Sequence, residues 1–132
     1  MATAPRVLLV EDNELNRALV RAILSRTTEP ALRGADLIEA HNLTQARAVL
    51  AGEAVDIVLL DVQLPDGSGL TLVDEIAQRG GSRPGIVAVT GGVLPEQRVA
   101  AMAAGCDAIV DKPFIAADLV QALVAHLPAN RA

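Results

Sequence analysis

The sequence predicts a doubly wound α/β fold built on a five-stranded parallel sheet, and three observations carry that prediction. Four short apolar runs (residues 7–10, 55–60, 86–89 and 108–110) are bounded by acid, glycine or proline, the pattern of strands buried on both faces of a parallel sheet. Stretches with apolar side chains at helical spacing separate them. Each run also ends in a polar residue able to do chemistry: Glu11-Asp12, Asp61, Thr90 and Lys112-Pro113. In open parallel sheets ligands bind outside the carboxyl ends of the strands, so these residues are expected to converge there.

Taken in order, the first strand occupies residues 6–10. The first helix runs over about 14–25, with Asn13 as N-cap and Leu15, Leu19, Ile23 and Leu24 on one apolar face. Residues 26–35, with Pro30 and Gly34, read as irregular. The second strand is about 36–40, and the second helix begins near Thr44, a cap candidate, and ends before Gly52. The third strand is 55–60 and residues 64–69 form a turn by composition, with Ser68 placed to cap a third helix carrying Leu72, Val73 and Ile76 at helical spacing. Gly80-Gly81-Ser82 ends that helix, and the fourth strand follows over 86–90. Gly91-Gly92 makes a loose joint before a fourth helix over about 95–104, with Pro95 in its first turn and Gly105 closing it. A fifth strand, 108–111, and a fifth helix, about 116–126, complete the core, which spans about 5–127 and leaves 128–132 as a short tail. Right-handed crossovers and strand order 2-1-3-4-5 put the switch point between the first and third strands, flanked by Glu11-Asp12 and Asp61.

Size and composition narrow the function. At 132 residues the chain reads as one domain. Apolar residues make up 52% and aromatic residues 1%, so the core must be Val, Leu, Ile and Ala, with Phe114 the sole aromatic. A net charge of −5 without a cluster of Lys or Arg argues against direct nucleic-acid binding. Cys106 is the single cysteine, which fits a reducing compartment, and it reads as a small, partly buried residue rather than a nucleophile. With no run long enough to span a membrane and no secretion signal, a cytoplasmic protein without membrane contact is expected.

Each polar strand end has an ordinary explanation when taken alone. An acidic pair there is usually solvated or caps a helix, Thr90 could be a β-branched strand residue, and Lys112 could be an exposed strand end. Their common placement at the ends of strands one, three, four and five raises their weight. Three carboxylates, a hydroxyl and an ammonium in one crevice suit a divalent cation and a phosphoryl group.

The motifs Leu-Leu-Val-Glu11-Asp12-Asn, Leu-Leu-Asp61-Val-Gln-Leu-Pro65-Asp-Gly-Ser-Gly69, Val-Thr90-Gly and Ala-Gly105-Cys-Asp-Ala-Ile-Val-Asp-Lys112-Pro113-Phe114 occur in the order found in the receiver domains of bacterial two-component response regulators. The chain resembles that family over essentially its whole length, which implies a flavodoxin-like receiver fold. The resemblance implies that Asp61 is the phosphoacceptor, and that Glu11, Asp12 and Asp61 hold Mg²⁺ together with the backbone carbonyl of Gln63. It implies further that Thr90 and Lys112 contact the phosphoryl group and that Lys112-Pro113 is a cis peptide. The donor would be a phosphohistidine on a sensor histidine kinase or a histidine phosphotransfer protein. The signal would leave through a downstream protein partner. Such a domain assists its own phosphorylation and dephosphorylation and is not a conventional enzyme. Asp12-Asn-Glu-Leu-Asn16-Arg17 looks like the receivers of hybrid histidine kinases, so both a stand-alone protein and a hybrid-kinase receiver stay open.

The sequence departs from the family in several places. Ile109 stands where many receivers carry a switch aromatic, so ring rotation cannot report phosphorylation here. The Gly91-Gly92 pair suggests the fourth helix and its loop as the two-state element instead. Gln63 and Gly92 occupy positions that influence acyl phosphate lifetime in the family. The interval from Asp12 to Asp61 is a few residues longer than usual, and the excess falls in 26–35, where a tolerated surface insertion is the simplest reading. Val99, Met102, Ile109, Leu119 and Leu123 are offered for the output surface, some of them necessarily facing the core.

Two other classes compete. A non-phosphorylated interaction module of the same fold would not need all five site residues. A Mg²⁺-dependent aspartyl phosphatase would need an acid where Gln63 stands, and a flavin protein would need aromatic stacking partners that the chain lacks.

Overall fold

The alternation of side chains along the central strands explains the layering of the molecule. The computed structural model describes residues 4–79, 83–91 and 95–128. Its elements are β1 (Arg6–Val10), α1 (Glu14–Arg26), a 3₁₀ turn (Pro30–Leu32), β2 (Asp36–Ala40), α2 (Leu43–Gly52), β3 (Ile57–Asp61), β4 (Gln63–Leu64), β5 (Gly67–Ser68), α3 (Gly69–Gln78), β6 (Gly85–Gly91), α4 (Pro95–Ala104), β7 (Ala108–Lys112) and α5 (Ala116–His126). The main sheet is parallel in the order β2-β1-β3-β6-β7, which is the 2-1-3-4-5 arrangement once the two-residue hairpin β4-β5 is set aside.

Successive side chains of a strand point to opposite faces, so each inner strand feeds two cores. Val7, Leu9, Ile57 and Leu59 pack with Val20 and Ile23 of α1 and Leu119 and Leu123 of α5. Leu8, Val10, Val58 and Leu60 pack with Leu43, Ala46 and Leu50 of α2, Leu72, Val73 and Ile76 of α3 and Ala101 of α4. All five residues of β3 are buried, as expected of the middle of a doubly covered sheet.

Several elements differ from the sequence-based expectation, each for a local reason. Of the expected apolar face of α1, Ile23 is buried and Leu24 packs against the core, but Leu15 and Leu19 are 80% and 42% exposed, and Arg17 and Val20 are buried in their stead. Asn13 does cap that helix, accepting from the Asn16 N–H at 3.2 Å. Asn42, not Thr44, caps α2, accepting from the Gln45 N–H at 2.8 Å. Thr44 instead meets Asp66, whose carboxylate also accepts from the Leu43 N–H at 2.9 Å. Those backbone bonds hold the Asp66 carboxyl below its ordinary range. The β3 strand begins at Ile57, because the Asp56 carboxylate accepts from the Arg6 N–H at 2.7 Å and its backbone bonds Arg6 O.

The long connection after α1 is more than a surface insertion, since Leu32 of its 3₁₀ turn is fully buried against the α1/α5 face. Gly91 is the last residue of β6, paired with Lys112, rather than part of a loose joint. Gly92 and residues 80–82 lie outside the described residues. Ser68 caps α3 and α4 and α5 span the expected residues, while Gly105 closes α4 with a φ of 119° that favours glycine. Cys106 is buried, which pushes its thiol up to about 11 and makes it a poor nucleophile. Among the described residues no helix is long and apolar enough to cross a membrane.

Candidate functional site

The ends of β1, β3 and β7 bring Glu11, Asp61 and Lys112 together at the switch point of the sheet. The Glu11 N–H bonds Ala40 O at 3.0 Å, continuing the β1-β2 ladder one residue beyond β1 and turning the Glu11 side chain inward. The residue is 4% exposed. One carboxylate oxygen accepts from the Asn13 N–H at 3.1 Å and the other from Lys112 Nζ at 2.7 Å. Asp61 is also buried. Its Oδ1 accepts from the Gln63 N–H at 3.0 Å and its Oδ2 from Lys112 Nζ at 3.2 Å. Asp12 is exposed, yet carboxylate oxygens of Glu11, Asp12 and Asp61 all lie within 4.8 Å of one another.

Three carboxylates at that separation repel, and one ammonium offsets part of the repulsion. Burial alone would push the Lys112 pKa down. The hydrogen bond to Glu11 and the charges of Asp61 and Glu11 outweigh it and leave Lys112 above its ordinary value. The donor set is all oxygen, hard and anionic, which fits Mg²⁺ and not a softer metal. Lys112-Pro113 is cis, as expected.

The remaining expected site residues flank this centre. Thr90 lies on β6 one position beyond Val89, the register partner of Asp61. It is half-buried and lines a cavity of about 210 Å³ with Gln63, Ala88, Ala101 and Ile109. Ile109 is half-buried on β7, and the cavity beside it holds no aromatic side chain. Gly91 faces the Lys112 side chain at ordinary contact distance, so a side chain there would be tolerated.

Gly69 is a site residue that composition placed only in a turn. Its N–H bonds Val62 O at 2.7 Å, and a Cβ on it would stand 2.4 Å from the carbonyl oxygen of Asp61. Backbone must then move. Gly69→Ala is expected to destabilise the domain by about 1–3 kcal/mol, the usual range for overpacking, and to slow any chemistry at Asp61. A thermal melt checks the first effect and a phosphorylation time course the second.

Arg17 is the other group that the apolar pattern hid. It is 7% exposed and its Nη1 donates to Glu11 O at 2.9 Å. It also pairs with Glu14 at 2.6 Å and with Glu39 at 3.4 Å. The hydrogen bond from Arg17, with the charges of Arg21 and Arg17, holds the Glu14 carboxyl below its ordinary value. The spacing Glu14 to Arg17 signals an ion pair on one helix face. That this face is buried could not be read from it.

The model of the response regulator receiver domain family matches residues 7–124, nearly the whole described chain. The chain belongs to the response regulator receiver domain family. The receiver is 38% identical over 125 residues to the transcriptional regulatory protein AruR of Pseudomonas aeruginosa, covering 91% of this chain and 48% of AruR. It therefore spans about half the length of that relative. It is 39% identical over 112 residues to the two-component response regulator ORR41 of Oryza sativa subsp. japonica, covering 83% and 84% of the two chains. Among solved structures it is similar to the receiver domain of a Pseudomonas aeruginosa sensor histidine kinase, described with a magnesium ion coordinated in its active site cleft. That match has a TM-score of 0.79 and 30% identity and covers 94% of this chain and 98% of the other. Relatives thus include response regulators and a sensor kinase, and the receiver is a module of two-component signalling.

Proposed function

We propose that this receiver accepts a phosphoryl group on Asp61 from a phosphohistidine, in a Mg²⁺-dependent reaction, and signals through protein contact. The observation that carries the proposal is the Asp61 carboxylate held 3.2 Å from the Lys112 ammonium and within 4.8 Å of two further carboxylates. A carboxylate oxygen of Asp61 attacks phosphorus, the phosphorus–nitrogen bond of the donor breaks, and the imidazole leaves with the electron pair and takes up a proton. The product is an acyl phosphate on Asp61, which water later hydrolyses to free phosphate and the original carboxylate. The Asp61 side chain is an acceptor restored at the end of the cycle, and the receiver is not a conventional enzyme.

Glu11, Asp12, Asp61 and the carbonyl of Gln63 would hold Mg²⁺, with Glu11 already oriented by Asn13 and Lys112. When bound, the ion would neutralise charge on the transferring oxygens. Lys112 would supply a second positive charge to the same oxygens, and Thr90, one position beyond the register partner of Asp61, would supply a hydroxyl.

The test is intact mass after incubation with acetyl phosphate, with Mg²⁺ and with EDTA, followed by peptide mapping. A gain of one phosphoryl group that requires Mg²⁺ and maps to the peptide containing Asp61 is the expected result. No gain, with Mg²⁺ shown separately to bind, would favour the interaction module that is not phosphorylated.

Exposed apolar groups around the site suit a protein donor. Leu15 and Leu19 of α1 and Ile115 before α5 are 80%, 42% and 64% exposed. A groove of about 480 Å³ between the two helices, lined by Leu19, Ala22, Ala116 and Val120, continues from them. The donor helix bearing the phosphohistidine would cover this face while presenting the imidazole to Asp61. Leu15→Asp with Leu19→Asp is expected to slow transfer from a phosphorylated histidine phosphotransfer protein by about tenfold or more. Uptake from acetyl phosphate should be unchanged in the same variant. For output, Val99 and Met102 of α4 are exposed and available to a downstream partner, whereas Leu119 and Leu123 are fully buried and are not.

A further inference from the structure

Helix α1 keeps a leucine outside and an arginine inside, against the ordinary sorting of side chains. A buried guanidinium loses hydration, and replacing a buried ion pair as a whole by apolar side chains is often neutral or stabilising, so a buried pair is weak evidence of a role in stability. Since Glu14 and Glu39 also pair with Arg21, pairing alone does not explain the burial of Arg17. Its contacts indicate what does. The Nη1–H reaches Glu11 O at 2.9 Å, the carbonyl of the peptide that joins Glu11 to Asp12. Nη2 pairs with Glu14 at 2.6 Å, and the buried Nε, 3.4 Å from Glu39, makes no hydrogen bond. The guanidinium is thus aimed at the one peptide unit that lies between two of the clustered carboxylates, just past the last ladder bond of β1.

That peptide needs holding. The Glu11 side chain is anchored by Asn13 and Lys112, but among the described residues no hydrogen bond or ion pair fixes the Asp12 side chain, which is exposed. Repulsion from Glu11 and Asp61 would swing Asp12 away if its backbone could rotate. We propose that Arg17 is a positioning residue which locks the Glu11-Asp12 peptide and so presents both carboxylates, with Asp61, to a divalent cation. This rests on the metal reading above.

The test titrates Mn²⁺ into the full chain by water-proton relaxation and follows thermal unfolding without metal, for the wild type, Arg17→Met, Arg17→Lys and Asp12→Asn. Arg17→Met fills the same space without donors. It is expected to melt below the wild type but still cooperatively, since Glu11 O loses its donor while Glu14 and Glu39 keep Arg21. It should bind Mn²⁺ about tenfold or more weakly, as when other groups that orient metal ligands are removed. Arg17→Lys, which keeps the charge but not the planar fork, should fall between the two. A folded Arg17→Met that binds within twofold of the wild type overturns the inference. Should Arg17→Met fail to unfold cooperatively, Arg17→Lys decides: wild-type affinity with a lowered melting temperature means that Arg17 only supports the fold. Absence of saturable, Asp12-dependent Mn²⁺ binding by the wild type would overturn the metal reading and this inference with it.

Discussion

Asp61→Asn is expected to gain no phosphoryl group from acetyl phosphate under conditions that fully modify the wild type. The amide keeps the size of the carboxylate and can still accept from the Gln63 N–H, now 3.0 Å from Asp61 Oδ1, so the loop after β3 should hold its shape. What is lost is the anionic nucleophile, and neither neighbouring carboxylate can substitute. Glu11 is engaged by Asn13 and Lys112, and Asp12 is exposed to water at the mouth of the site. The same substitution removes one of three mutually repelling charges. Without Mg²⁺ the variant should therefore melt no lower than the wild type, and the rise in melting temperature on adding Mg²⁺ should shrink, because binding stabilises only through the sites present in the folded chain. Intact mass and paired melts measure both effects. Full modification of Asp61→Asn would move the acceptor elsewhere.

The strands and the site could be read from sequence because both are written locally. An apolar run ending in acid or Lys-Pro marks a buried strand and its chemical end at once, and so the ends of β1, β3, β6 and β7 point to Glu11, Asp61, Thr90 and Lys112 without coordinates. The misreadings all involve partners distant in sequence. Leu15 and Leu19 looked like a core face because nothing near them shows that Arg17 finds Glu39 and the carbonyl of Glu11 across the end of the sheet. Thr44 looked like the cap of α2 because Asp66, which occupies it, lies in the loop after β3. Leu32 sat among turn residues, and only the space between α1 and the sheet shows that it belongs to the core. Gly69 read as a turn glycine until the Asp61 carbonyl was seen beside it. Side chains that satisfy one another over long separations carry no periodicity, and those are the ones that support the site here.

Lys112→Met is expected to change three quantities in different directions. Phosphoryl uptake should slow by about 100-fold or more, the usual cost of losing one positioned group that stabilises developing charge. Stability without metal should fall, because Glu11, 4% exposed, loses the ammonium 2.7 Å away that is its cationic partner. Breaking a fully buried pair costs about 3–5 kcal/mol, and since the Lys112 side chain is 22% exposed a loss nearer 2 kcal/mol is expected. That corresponds to roughly 5–10 °C in a domain of this size. Affinity for Mg²⁺, by contrast, should hold or rise, since the ammonium shares Glu11 and Asp61 with the cation and repels it. Saturating Mg²⁺ should accordingly restore more of the melting temperature in the variant than it adds to the wild type. The pH dependence has a definite sign. Burial lowers the Lys112 pKa, but Glu11 and Asp61 more than compensate and hold it above the ordinary 10.5, so its contribution to stability is complete below that pH and is lost as pH rises through the folded value. The gap in melting temperature between wild type and Lys112→Met should stay constant from neutral pH up to about 10 and close beyond it. A variant that bound Mg²⁺ more weakly than the wild type would show instead that Lys112 gathers the carboxylates into a metal site, and its role would be organisation of the cluster before it is charge neutralisation in transfer.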